Sequence, residues 1–135
     1  KKNKILCWGT PNIKMDFTTT FNTAEFTAYA AMDDTAPRYL HIAGDSLSAH
    51  DFEILLSELD KKPYSLLRPG GIGFFNFVIA MTRFFDFKKT TLYPAWQGMQ
   101  YMRDMMEGRA ELNRHDNNRY RMDWTSMKQY LAENR

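Results

Sequence analysis

Apolar and polar positions alternate between two periods along this chain, and that pattern predicts its elements. Ile5 to Trp8 reads as a short buried strand stopped by Gly9-Thr10-Pro11. Ile13, Met15 and Phe17 then alternate with Lys14 and Asp16, the period of a half-exposed strand. Asn22 is placed as a helix N-cap, with Glu25 completing a capping box, and that helix runs to about Met32. Arg38 to Ala43 reads as a strand ended by Gly44-Asp45. Ser48, with Asp51 at the third position, caps a helix whose Phe52, Leu55, Leu56 and Leu59 form one apolar stripe. Tyr64 to Leu67 is a further strand, broken by Arg68-Pro69-Gly70-Gly71. Helical spacing follows over Ile72 to Phe85 and over Tyr93 to Gly108, with Pro94 in the first turn and Gly108 as the stop. A polar stretch over Asn113 to Asn118 and an extended piece over Arg119 to Met122 lead to a last helix. Asp123 or Thr125 is its expected cap, and Met127, Tyr130 and Leu131 are its apolar face.

Strand and helix alternation of this kind predicts an α/β arrangement with some parallel pairing. The chain has 135 residues, enough for one domain with a core, and a single domain over residues 1–135 is expected. It opens on Lys1 rather than Met and enters a strand almost at once, as a portion cut from a longer protein would. Lys plus Arg number 18 against 16 for Asp plus Glu, and the basic residues are scattered. Lys1-Lys2-Asn3-Lys4, Lys61-Lys62, Lys88-Lys89 and Arg114 to Arg121 form no concentrated face, so nucleic acid is not an expected partner. The most apolar stretch, Gly70 to Phe87, is interrupted by Asn76, Arg83 and Asp86 and falls short of the ~20 apolar residues of a membrane span. The lone Cys7 lies between Leu6 and Trp8, where a buried thiol and a reducing, cytoplasmic setting are expected.

Most chemical signatures are missing from the sequence. Gly70-Gly71-Ile72-Gly73 lacks the G-x-G-x-x-G spacing of a dinucleotide loop, and a close-packing turn is the simpler role for it. No Tyr lies four residues before a Lys, the spacing that sets an ammonium beside a phenol on one helix face. His41, His50 and His115 show no metal-ligand spacing, Asp33-Asp34 begins no calcium loop, and no serine sits in a nucleophile elbow. Catalytic, cofactor-binding and metal-binding residues are therefore expected to be none. The surplus is aromatic: Phe74, Phe75, Phe77, Phe84, Phe85 and Phe87, then Tyr93, Trp96 and Tyr101. These rings can fill a core, shape a pocket for a small organic molecule, or form an interface, including one between copies in a homo-oligomer. Phe74, Phe75, Trp96 and Tyr101 are the candidate pocket residues, with Asn76, Gln97 or Arg103 as orienting groups.

The runs FTTTFNTAEFTAYAAMD and RYLHIAGDSLSAHDFEILLSEL, with the tail MQYMRDMMEGRAELNRHDNNRYRMDWTSMKQYLA, resemble the C-terminal half of NmrA-like, isoflavone-reductase-like atypical short-chain dehydrogenases. The similarity covers Phe17 to Leu131, and Asn22 stands where that family often has Asp. The resemblance implies a partial Rossmann-type sheet followed by a helical, substrate-side region. It further implies a parent protein that binds NADP or NAD through an N-terminal Rossmann half. This chain would then be the substrate-binding portion of an oxidoreductase for a small organic substrate, aromatic ones included, and inactive by itself. A non-catalytic NAD(P)-sensing or protein-interaction module is the alternative within the family, and a free-standing ligand-binding domain the alternative outside it.

Overall fold

The computed structural model describes residues 3–86 and 92–134. Lys1, Lys2, Phe87 and the Lys88–Lys89 pair of the sequence reading lie outside the described residues. The elements run β1 (Lys4–Leu6), β2 (Met15–Phe17), α1 (Thr20–Ala31), β3 (Asp45–Leu47), α2 (Ala49–Asp60), β4 (Ser65–Leu67), α3 (Ile72–Phe84), α4 (Ala95–Met106) and α5 (Met127–Glu133), with one 3-10 turn over Asn117–Arg119. The mixed α/β class and the parallel pairing expected from the alternation are both present. Among the described residues no helix is long and apolar enough to cross a membrane. The chain divides into two units, one of Lys1–Met15 with Ser48–Glu111 and one of Asp16–Leu47 with Leu112–Arg135.

In the first unit β1 and β4 pair in parallel, with Lys4, Ile5 and Leu6 opposite Ser65, Leu66 and Leu67. The ladder continues through Cys7, whose N–H donates to the Leu67 carbonyl at 3.0 Å. Helix α2 covers both strands. It starts where expected: Ser48 Oγ accepts from Asp51 N–H, and Asp51 returns a bond from the Ser48 N–H at 2.8 Å. Such reciprocal caps satisfy two donors that helix geometry leaves open. The core is built on Trp8, Phe75 and Ile79, with Ile72, Val78, Met99 and Met106 packed around them. Trp8 and Phe75 stack with centroids 4.6 Å apart and planes 4° from parallel. Stacking of that kind adds about 1 kcal/mol to the burial of the two rings. Helices α3 and α4 pack on each other. Pro94 precedes the first turn of α4, and Gly108 ends the segment at φ +79°, a conformation that favours glycine. Cys7 is buried, and that burial pushes its thiol pKa up, away from reactive thiolate.

The second unit departs from the sequence reading in three places. Arg38 to Ala43 forms no strand. Its backbone polar groups pair instead with the tail: His41 N–H donates to Asp116 Oδ2 at 3.0 Å, and the Ala43 N–H and carbonyl both bond the Asn117 carboxamide. Two side chains thus supply what a neighbouring strand would have supplied, and pairing resumes beyond Gly44, where β3 meets β2. The cap of α1 is Thr19, not Asn22: Thr19 Oγ1 accepts from Asn22 N–H at 3.1 Å. Asn22 is fully buried inside the first turn, where it bonds the tail. The cap of α5 is Ser126, not Asp123 or Thr125, because Ser126 and Gln129 close a capping box between them. Phe26 is the buried ring here, edge-on to Tyr120 at 5.0 Å and tilted against Trp124.

Candidate functional site

The second unit contains a cavity of about 520 Å³, within the range of small-molecule pockets. One wall comes from the end of β2 and the start of α1, residues Phe17 to Phe21. The other comes from Thr125, Ser126 and Met127 with Tyr130 and Glu133 of α5, and Asp45 of β3 lies between. Each wall is held by specific bonds. Gly44 N–H donates to the Phe17 carbonyl at 2.8 Å. A Cβ on Gly44 would sit 2.9 Å from the Thr125 carbonyl oxygen and 3.4 Å from that of Phe17, so only glycine lets these backbones close on each other. The Asn22 carboxamide donates to the Asp123 carbonyl at 2.8 Å and accepts from Thr125 N–H at 2.9 Å, which fixes the chain entering α5. Asp45 Oδ2 accepts from Met127 N–H at 2.9 Å, and its Oδ1 from Ser46 N–H at 2.9 Å.

Three hydroxyls of the lining have committed their protons. Thr18 Oγ1 donates to the Ile42 carbonyl, Thr19 Oγ1 to Asn22 Oδ1, and Ser126 Oγ to Gln129 Oε1. The apolar share comes from Phe17, Phe21, Met127 and Tyr130, and Phe21 is 73% exposed at the opening. No Lys, Arg or His belongs to the lining.

The four aromatic candidates lie in the first unit, and none of them lines the cavity of the second unit. Phe75 is buried at 3% exposure in the stack with Trp8, and Phe74 is half exposed with its ring 5.9 Å from Trp8. Trp96 donates from Nε1 to Asp86 Oδ2 at 3.0 Å beneath the Arg83 guanidinium, and Tyr101 is exposed on α4. Among the described residues no ring contact joins Trp96 or Tyr101 to Phe74 or Phe75. An open groove between α3 and α4 includes Asn76 and Arg103 but none of the four rings. Arg103 there is bound by the carboxylate of Asp104 and reaches Asn76 Oδ1 at 3.4 Å. Gln97, the third orienting candidate, is not part of that lining.

The histidines are dispersed. His50 Nδ1 lies 3.1 Å from Glu53, and His115 Nε2 lies 3.5 Å from Asp16 Oδ2, which also accepts the Leu112 N–H. Among the described residues no group of three or more metal-ligating side chains converges. The cavity residues were not singled out by sequence spacing. Their one local signal is the run Phe17-Thr18-Thr19-Thr20-Phe21, hydroxyls bracketed by rings ahead of a helix.

No protein-family model and no curated protein matches the chain. Among solved structures, the crystal structure of an isoflavone reductase superposes on 98% of this chain with a TM-score of 0.73 at 16% sequence identity. The chain spans 44% of that reductase's length. Likeness at this identity is a likeness of fold: the chain has the α/β fold of part of an isoflavone-reductase structure.

Proposed function

We propose that this chain is the substrate-side portion of a longer, NmrA-like NAD(P)-dependent oxidoreductase acting on a small organic substrate, with the cavity of the second unit as its substrate-side site. The observation that carries the reading is the superposition of nearly the whole chain on less than half of an isoflavone reductase. A pocket of ligand size with aromatic walls and fixed polar groups supports the small-molecule part.

The described residues do not fit a dinucleotide. The Gly70–Gly73 turn before α3 lacks the G-x-G-x-x-G spacing, and Gly70 packs against the Phe74 ring, where a Cβ would lie 2.9 Å away. The cavity of the second unit carries two carboxylates and no cation to meet a diphosphate. The nucleotide, which supplies the hydride in such enzymes, is therefore assigned to the remainder of the parent protein. The residues here bind the substrate, hold its polar end, and exclude water from its apolar body.

Calorimetry with NADPH tests this. The full-length gene product should bind it, and the 135-residue chain should give no binding heat. Failure of the full-length protein to bind either nicotinamide nucleotide, or tight binding by the chain alone, would overturn the reading.

A further inference from the structure

We infer that the cavity of the second unit takes a small aromatic amine in its cationic form, an inference that rests on reading this cavity as the substrate-side site. The argument begins with protons. A hydroxyl has one to donate, and Thr18, Thr19 and Ser126 have each committed theirs, to the Ile42 carbonyl, to Asn22 Oδ1 and to Gln129 Oε1. What these side chains still offer is lone pairs. Asp45 adds two carboxylate oxygens, each accepting one backbone N–H and each with capacity for another bond. Glu133 adds a second carboxylate on the α5 side. These three hydroxyls and two carboxylates therefore present acceptors to a ligand, and a ligand rich in donors can bond all five.

Charge and shape narrow the class. With two carboxylates and no Lys, Arg or His in the lining, a carboxylate or phosphate ligand would meet repulsion and find no cationic side chain there to pair with. An ammonium brings three donors and a positive charge, matching both features at once. Phe17, Phe21 and Tyr130 contribute rings to the lining, and aromatic rings attract a cation electrostatically and stack on an aromatic body. At about 520 Å³ the space suits a molecule of one or two rings.

The test is an amide-resolved NMR titration of the ¹⁵N-labelled chain with three ligands sharing one ring: tyramine, its uncharged relative 4-ethylphenol, and the oppositely charged 3-(4-hydroxyphenyl)propionate. Shifts should concentrate at Phe17–Phe21 and Thr125–Tyr130, with affinity falling in the order amine, phenol, carboxylate. Glu133→Gln, a change at an exposed position, should weaken tyramine about two- to fivefold and leave 4-ethylphenol unaffected. Phe21→Ala, also at an exposed position, should weaken amine and phenol together by about three- to tenfold. Carboxylate binding as tight as the amine, shifts centred on the α3–α4 groove, no shifts at all, or indifference to both substitutions would overturn the inference. The titration contains no nucleotide, so its failure leaves the NADPH result standing, and a failure of NADPH binding leaves the titration standing.

Discussion

Asn22 and Asp123 are 101 positions apart in sequence, and the Asn22 carboxamide donates to the Asp123 carbonyl at 2.8 Å. The same carboxamide accepts from Thr125 N–H and from Thr19 Oγ1, so one fully buried side chain joins the first turn of α1 to the approach to α5. Asn22→Ala would leave the Thr125 N–H without its acceptor and the Asp123 carbonyl without its donor. Unmade bonds of this kind cost about 1–3 kcal/mol each, and a loss of about 2–4 kcal/mol in urea denaturation is expected. Asn22→Asp should also destabilise, because a carboxylate cannot donate to the Asp123 carbonyl.

Asp33, Asp51 and Asp116 are held below the ordinary carboxylate range, Asp116 chiefly by the His41 N–H, and they make stability depend on acid. Asp33 is held well below the ordinary carboxylate range by the Thr35 hydroxyl first, then by the Tyr120 hydroxyl and the Arg119 guanidinium. Asp51 is lowered to about 2 by the Ser48 N–H and hydroxyl and by Lys14. A depressed folded-state pKa stabilises the fold above the unfolded value of 3.8 and loses that contribution as pH falls through the folded value. Thermal midpoints should therefore hold steady above about pH 5 and fall progressively from pH 3.8 towards about 2. Asp33→Asn should lower the midpoint at neutral pH and make the acid-induced drop shallower. An unchanged acid profile in that variant would show that the Asp33 bonds do not contribute.

The aromatic residues of the first unit separate by substitution. Phe75→Ala removes a ring at 3% exposure stacked on Trp8 and should cost about 3–5 kcal/mol. Tyr101→Ala removes a ring that is 67% exposed and should stay within about 0.5 kcal/mol of the parent chain. Chemical denaturation of the pair decides it; comparable losses in both would mean that α4 buries Tyr101 against something further.

What the sequence disclosed follows from the range of the interactions involved. The Ser48–Asp51 box was legible because both partners lie within one helical turn and the apolar stripe after them has one period. The parallel strands were legible as alternation with helices, although their register was not. Around Asn22, local chemistry offers several competent caps in succession, Thr18, Thr19, Thr20 and Asn22. The choice of Thr19 is made by the tail, since Asn22 is engaged with Asp123 and Thr125. Arg38 to Ala43 has the composition of a strand, and its true partners, Asp116 and Asn117, lie more than 70 positions away in a polar stretch with no strand period. The candidate cavity was hidden for the same reason. Its two walls come from opposite ends of the sequence, and no spacing rule relates Phe21 to Tyr130.

The second unit is assembled from Asp16–Leu47 and Leu112–Arg135, with the whole of Ser48–Glu111 running between them. During synthesis α1 and β3 therefore leave the ribosome long before the residues that close over them. Phe26 must wait for Tyr120 and Trp124, and the Asn22 carboxamide must wait for Asp123 and Thr125. The first unit has its strands and helices available by Glu111, so the order of emergence favours its completion first. A nascent chain stalled near that point would carry a finished first unit and an unfinished second one, with Asn22 and Phe26 open to chaperones and proteases.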